Sequence, residues 1–187
     1  MDIYSRLINR ENPLPKDFVP EDLVSCEFPF LAAGSEEKRL LCSAAAESAR
    51  RLIEYGKSFG CHLAGISGYR SYARQQEIYE TRLREAGPEH VSRFLAPPGA
   101  SEHQSGLALD VSCPSVHMEL DESFAETREG RWLAAYAPMF GFILRYPRGK
   151  EHITGYAWEP WHIRYVSKSL ALYLALTGLT LEEYHRI

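Results

Sequence analysis

The stretch Ser101-Glu102-His103-Gln104-Ser105-Gly106-Leu107-Ala108-Leu109-Asp110 decides how this chain folds. Past Gly106 the residues alternate. Leu107, Leu109 and Val111 fall on one face of a strand, and Ala108, Asp110 and Ser112 on the other. A carboxylate is therefore carried on a rigid element, facing away from an apolar side. Gly106 lets the backbone turn, so that His103 folds back toward Asp110. An imidazole and a carboxylate make two thirds of the protein ligands of a catalytic zinc site.

The missing third lies near the C-terminus, in Trp158-Glu159-Pro160-Trp161-His162-Ile163-Arg164-Tyr165-Val166. His162 opens a run rich in aromatic and β-branched residues, which reads as a strand. Glu159 stands behind Pro160, and a proline cannot join an interior ladder. The expectation is that Glu159 belongs to the entering loop and His162 to the strand.

Working outward, 187 residues suit one domain with a sizeable core. The pattern divides the chain into an extended N-terminal arm, 1–34, and a single domain, 35–187. The formal net charge is −4, and no lysine or arginine run is long enough to grip nucleic acid. No apolar run approaches the ~18–20 residues of a membrane span. The first ten residues lack the apolar core of a signal peptide. That places the protein in the cytoplasm, or outside it if a leader has been removed. Cys26, Cys42, Cys61 and Cys113 have wide, irregular spacings, which suits free buried thiols in a reducing compartment.

In chain order, the proline-rich first 34 residues predict an arm with at most one short strand. Ser35 as N-cap, with Glu36 and Glu37 behind it, predicts a long helix ending at Gly60. His62–Gly68 reads as a strand and Ser71 caps a helix from Tyr72 to about Ala86, followed by a loop over 89–100. A helix from about Thr127 to Phe140 is interrupted by Pro138. Phe142–Tyr146 is a strand joined through 150–157 to the His162 strand as a hairpin. Ser167–Thr177 is helical, and Thr180-Leu181-Glu182-Glu183 is a capping box opening a short final helix. Helices and strands are segregated, which predicts an α+β fold with an antiparallel sheet carrying the site.

Two neutral imidazoles and one carboxylate, from His103, Asp110 and His162, would leave a zinc ion a net positive charge and an open position. Such an ion lowers the pKa of its water from ~15.7 toward ~7. Glu159 is placed to act as general base, and Arg70, at a strand-to-helix junction, to stabilise an oxyanion or grip a carboxylate. Each residue also has an ordinary structural reading: a hydrogen-bonded histidine, a turn aspartate, a solvated acid, a surface ion pair.

The stretches together carry a resemblance. Ser101-x-His103-x-x-Gly106-x-Ala108-x-Asp110, then Glu159-x-Trp161-His162, with Ser67-Gly68-Tyr69-Arg70-Ser71 and Gln75 upstream, resembles the zinc D-alanyl-D-alanine carboxypeptidases of the vancomycin-resistance type. The resemblance spans nearly the whole chain. It implies the α+β fold shared with hedgehog signalling domains, with a small antiparallel sheet carrying the metal site and flanking helices. It also implies zinc as cofactor, with His103, Asp110 and His162 as ligands, Glu159 as base, Arg70 as partner of the anionic intermediate or carboxylate, and Gln75 and Ser101 as substrate contacts. The implied substrates are peptidoglycan stem peptides or free D-Ala-D-Ala. Within the family the chain is similar to the cytoplasmic bifunctional D,D-dipeptidase/D,D-carboxypeptidases, because the extra N-terminal segment of membrane-anchored members is not seen. The alternatives are an L,D-carboxypeptidase acting on tetrapeptide stems and a non-catalytic zinc domain that binds a cell-wall peptide or partner.

Overall fold

The computed structural model describes residues 3–32 and 36–187. Strands β1 (Leu23–Ser25) and β2 (Leu40–Cys42) pair antiparallel, and helix α1 (Ser43–Ser58) leaves β2 directly. The long helix expected from Ser35 thus begins later, and Ser35 itself lies outside the described residues. Leu40-Leu41-Cys42 fits a helical face or a short strand equally well. Pairing with the arm, Val24 opposite Leu41, decides for strand. The helix ends as expected, with Gly60 at φ 70°.

Strand β3 (Ala64–Ser67) leads into helix α2 (Tyr72–Phe94), capped by Ser71 Oγ, which accepts from the Arg74 amide at 3.3 Å. The expected stop at Gly87-Pro88 is a kink instead. Gly87 sits at φ 78°, ψ 167°, and helical geometry resumes over residues read as loop. A proline is well suited to restart a helix, since its missing N–H would have no partner there. Val91 on this second piece is buried.

Strand β4 (Ala108–Ser112) is followed by α3 (Arg128–Tyr136), which tightens into a 3-10 turn, Ala137–Phe140, at the expected Pro138. Strand β5 (Phe142–Tyr146), a single helical turn α4 (Glu151–Thr154) and strand β6 (Glu159–Tyr165) complete the hairpin. Helices α5 (Lys168–Thr177) and α6 (Leu181–Tyr184) close the chain, the latter with both hydrogen bonds of the Thr180/Glu183 capping box. Glu159 is therefore the first residue of β6, opposite Tyr146, rather than part of a loop. Pro160 is tolerated because β4 pairs only with the far part of β6, from His162 to Arg164.

The sheet runs β3-β4-β6-β5, antiparallel throughout. One face packs on the main core, where Leu109, Val111 and Ile163 meet Leu52, Ile53, Phe124 and Leu133. A second cluster seats α5 and α6 through Val166, Leu174 and Leu181. All four cysteines are free and buried. Among the described residues, no helix is long and apolar enough to cross a membrane.

Candidate metal centre and active-site cleft

Antiparallel pairing sets Asp110 on β4 directly across from His162 on β6. Directly opposed residues project on the same face of a sheet, so the carboxylate and imidazole meet: Asp110 Oδ1 lies 2.9 Å from His162 Nδ1. His103 comes from the 3-10 turn Glu102–Ser105, which Gly106 ends in the left-handed region at φ 68°. That reversal brings His103 Nε2 to 3.2 Å from Asp110 Oδ2. Metal-ligating atoms of His103, Asp110 and His162 all fall within 4.8 Å of one another, and all three residues are buried.

The donor chemistry fits a cation. His103 Nδ1 lies 2.7 Å from the Gly68 carbonyl, which can only accept, so Nδ1 carries the hydrogen. In the neutral ring Nε2 then presents a lone pair to the Asp110 carboxylate, two acceptors face to face. Burial keeps His103 below its usual pKa, although Asp110 pulls the other way. Burial alone would raise the Asp110 carboxyl, but the two imidazoles hold it well below the usual carboxylate range. Burial also opposes charging His162, yet the carboxylates of Asp110, Glu102 and Glu159 around it push it up to about 9. A metal ion among these atoms would replace a proton that the cluster otherwise draws in.

The cluster opens into a cleft of about 720 Å³ whose lining includes Arg70, Gln75, Ser101, Tyr146, Glu159 and Trp161. A larger groove, about 850 Å³, lies between the arm, α4 and α6 and holds none of the three cluster residues. Glu159 Oε2 is 3.9 Å from His162 Nδ1. Burial raises its carboxyl to about 7, with the charge of His162 opposing. Arg70 donates to Gln75 Oε1 at 2.8 Å and to Ser67 Oγ at 3.1 Å. Gln75 in turn donates to the Ala96 carbonyl at 2.6 Å and is 1% exposed. Its amide thus holds Arg70 at the cleft wall. Ser101 is buried at the start of the His103 turn.

Sequence reading missed a set of buried charges beneath the cluster. Glu102 Oε1 accepts from Arg145 Nε at 2.7 Å and from Arg164 Nη1 at 2.8 Å, and Arg145 also grips Glu182 at 2.6 and 2.9 Å. The signal available was Arg164 itself. It stands two residues beyond His162 on a strand, hence on the same buried face. Tyr146 and Tyr156 were missed too. Tyr146 lies against the His162 ring, centroids 5.0 Å apart, and burial raises its hydroxyl well above the usual value.

A small antiparallel sheet that gathers two imidazoles and a carboxylate, open to a cleft holding a carboxyl and a guanidinium, has the donor set to hold a metal ion beside an acid–base group. The sequence pattern of the VanY D-alanyl-D-alanine carboxypeptidase family matches residues 38–168, and the chain belongs to that family, a family of peptidases. YodJ of Bacillus subtilis (strain 168) is 42% identical over 178 residues, 95% of this chain and 65% of that protein. The chain therefore spans about two thirds of that relative's length. The structure of the LdcB LD-carboxypeptidase superposes with a TM-score of 0.92 at 41% identity, covering 96% of this chain and 84% of that one. The vancomycin-resistance D,D-pentapeptidase VanY, solved in complex with Zn(II), superposes at 0.79 with 32% identity, covering 98% and 99%. These neighbours share the hedgehog-like DD-peptidase fold.

Proposed function

We propose that the chain is a zinc-dependent carboxypeptidase releasing the C-terminal D-alanine of peptidoglycan stem peptides. The observation that carries this reading is the buried His103–Asp110–His162 cluster opening on a cleft that holds Glu159 and Arg70. His103 through Nε2, Asp110 through its carboxylate and His162 through Nδ1 would hold the ion, and a VanY structure with Zn(II) supports zinc. When bound, zinc supplies a Lewis acid and a water acidic enough to ionise near neutral pH.

The chain's own residues supply the rest. Glu159, ionising near neutrality, takes a proton from the attacking water and returns it to the leaving amine of D-alanine. Arg70 keeps its charge and is oriented by Gln75 and Ser67, so its fork can meet the terminal carboxylate or the developing oxyanion. Tyr146 and Trp161 wall the cleft against bulk water. Ser101 and Gln75 complete the wall nearest Arg70.

Two stereochemical readings follow from specific likenesses. The stronger superposition on LdcB favours an L,D-carboxypeptidase acting after an L-centre. Membership of the VanY family, and the likeness to VanY itself, favour a D,D-carboxypeptidase or dipeptidase cleaving D-Ala-D-Ala. The sequence motifs put the second reading first, and the likeness to LdcB lends support to the first. The test is amine release by zinc-loaded protein from D-Ala-D-Ala, a pentapeptide ending in D-Ala-D-Ala, and a tetrapeptide ending in one D-Ala after an L-centre. Chelator-sensitive cleavage of the tetrapeptide alone establishes L,D specificity. Cleavage of the first two establishes D,D specificity. Silence on all three with zinc bound sinks both and leaves a binding domain.

A further inference from the structure

Two buried polar atoms beneath the metal centre have no hydrogen-bond partner among the described residues: His162 Nε2 and Glu102 Oε2. They face each other at 3.5 Å. Leaving a buried donor or acceptor unmet costs about 1–3 kcal/mol each, so a coincidence of two at one spot points to an unfinished bond. We propose that Glu102 is the positioning residue of this centre: its Oε2 accepts the Nε2–H of His162 and thereby aims the Nδ1 lone pair at the metal. The proposal rests on the reading of His162 as a ligand.

The geometry permits no other assignment of the two nitrogens. Nδ1 faces Asp110 Oδ1 at 2.9 Å and Glu159 Oε2 at 3.9 Å, on the cluster side. Nε2 faces Glu102, on the side away from it. The ring is held between Tyr146 and His103, each with its centroid 5.0 Å away. Turning the ring over would aim carbon at both carboxylates and leave both buried charges without their contact. With Nε2 protonated, Glu102 Oε2 gains its donor and Nδ1 keeps a lone pair on the cluster side, beside the Asp110 carboxylate, for a cation. Glu102 is not itself a ligand in this arrangement, since it meets the far nitrogen of the ring.

Glu102 is unusually well fixed for such a task. Its side chain is fully buried, and Oε1 is held by both Arg145 and Arg164. Arg145 is anchored by Glu182 on α6, and Arg164 by the carbonyls of Tyr4 and Arg6 in the arm. Two arginines face two glutamates, so the set is neutral. Glu102 therefore needs no positive charge on His162 and is free to accept from a neutral ring. Ala108 stands directly across from Arg164, and its small side chain leaves the guanidinium its space. Outer carboxylates of this kind fix a ligand histidine's tautomer and raise its basicity, and losing one typically costs about 10–100-fold in metal affinity.

The decisive experiment starts with the wild-type protein, 15N-labelled in histidine and loaded with zinc. Long-range 1H–15N spectra should show His162 protonated at Nε2, with a downfield proton slow to exchange. Next, zinc affinity is measured by chelator competition for Glu102→Gln and, as control, Glu182→Gln. The control removes a charge from the same buried set without touching His162. Glu102→Gln should bind zinc about 10–100-fold more weakly, and the control within about threefold of wild type. Protonation of His162 at Nδ1 overturns the proposal, as do equal affinity losses in the two variants, which would show a merely structural role. Should Glu102→Gln not fold, the wild-type spectrum still decides. A wild-type chain that binds no stoichiometric zinc would instead bring down the metal reading beneath.

Discussion

Glu159→Gln should make the metal-free protein more stable at alkaline pH while nearly abolishing hydrolysis. Burial beneath the cleft raises the Glu159 carboxyl from 4.5 to about 7. At about 1.4 kcal/mol per pH unit, that displacement is worth roughly 3 kcal/mol. The folded pKa lies above the unfolded one. Between pH 4.5 and 7 the folded chain thus holds a proton that the unfolded chain has released, and stability falls as pH rises through that window. Above pH 7 the whole penalty is present. Glutamine has the same shape and cannot ionise, so it escapes the penalty. That displacement already includes the attraction of His162 and Arg70, and a buried amide keeps part of the cost of leaving water, so the net gain at pH 8 is about 1–3 kcal/mol. For a chain of this length that is roughly 2–10 °C in Tm.

The assay is thermal unfolding of chelator-treated wild type and Glu159→Gln, followed by circular dichroism at pH 5 and pH 8. The difference in Tm should favour the variant at pH 8 and shrink toward zero at pH 5. A difference that does not change with pH would refute the reasoning, because the ionisation of this carboxyl, disfavoured by burial and by Asp110, is its source. The same variant, loaded with zinc, should release amine about 10²–10⁴-fold more slowly, about 3–5 kcal/mol of barrier, with zinc stoichiometry unchanged. Activity within tenfold of wild type would remove Glu159 from proton transfer.

Three more expectations follow from single contacts. A methyl group on Gly106 would lie 2.9 Å from Cys42 Sγ and from Leu23 Cδ2, at φ +68°, so Gly106→Ala should cost about 2–4 kcal/mol in urea unfolding; a cost under about 1 kcal/mol would mean the turn relaxes freely. Gln75→Ala removes the 2.8 Å support of Arg70 and should lower kcat/KM by about five- to thirtyfold with zinc content unchanged, and an unaltered kcat/KM would show Arg70 held by other means. Burial pushes the Cys26 and Cys42 thiols up to about 12, so at pH 8 neither should react with a thiol reagent until denaturant is added; rapid labelling of the native protein would contradict their burial.

What sequence reading could and could not reach follows from the range of each interaction. The alternation in Leu107–Ser112, the reversal at Gly106 and the Thr180 capping box are local, and each appears in the structure where the residues predict it. The start of α1 was not legible, because Leu40–Cys42 suits helix and strand alike and the deciding partner, Leu23–Ser25, lies in the arm. Glu159 was read as loop because Pro160 follows it. The ladder to β5 reaches Glu159 on the side where β4 no longer pairs, which no local rule reveals. Glu102 carries no local signal of its burial. Its burial depends on Arg145 and Arg164, which are 43 and 62 positions away in sequence.

Those two arginines explain how so acidic a site can stay folded. Asp110, Glu159 and Glu102 crowd two imidazoles in a buried space, and carboxylates so placed would repel one another if left alone. Arg145 and Arg164 neutralise Glu102 from below, together with Glu182, while Arg70 offsets charge from the cleft wall. The negative charge left facing the cluster is then that of Asp110 and of Glu159 when ionised, which suits a divalent cation. A site balanced in this way has the charge to draw in a cation, and a carboxyl raised to about 7 lets Glu159 be partly protonated without one. The pH-dependent cost expected of Glu159 in the metal-free chain is thus the counterpart of the proton-accepting role proposed for it.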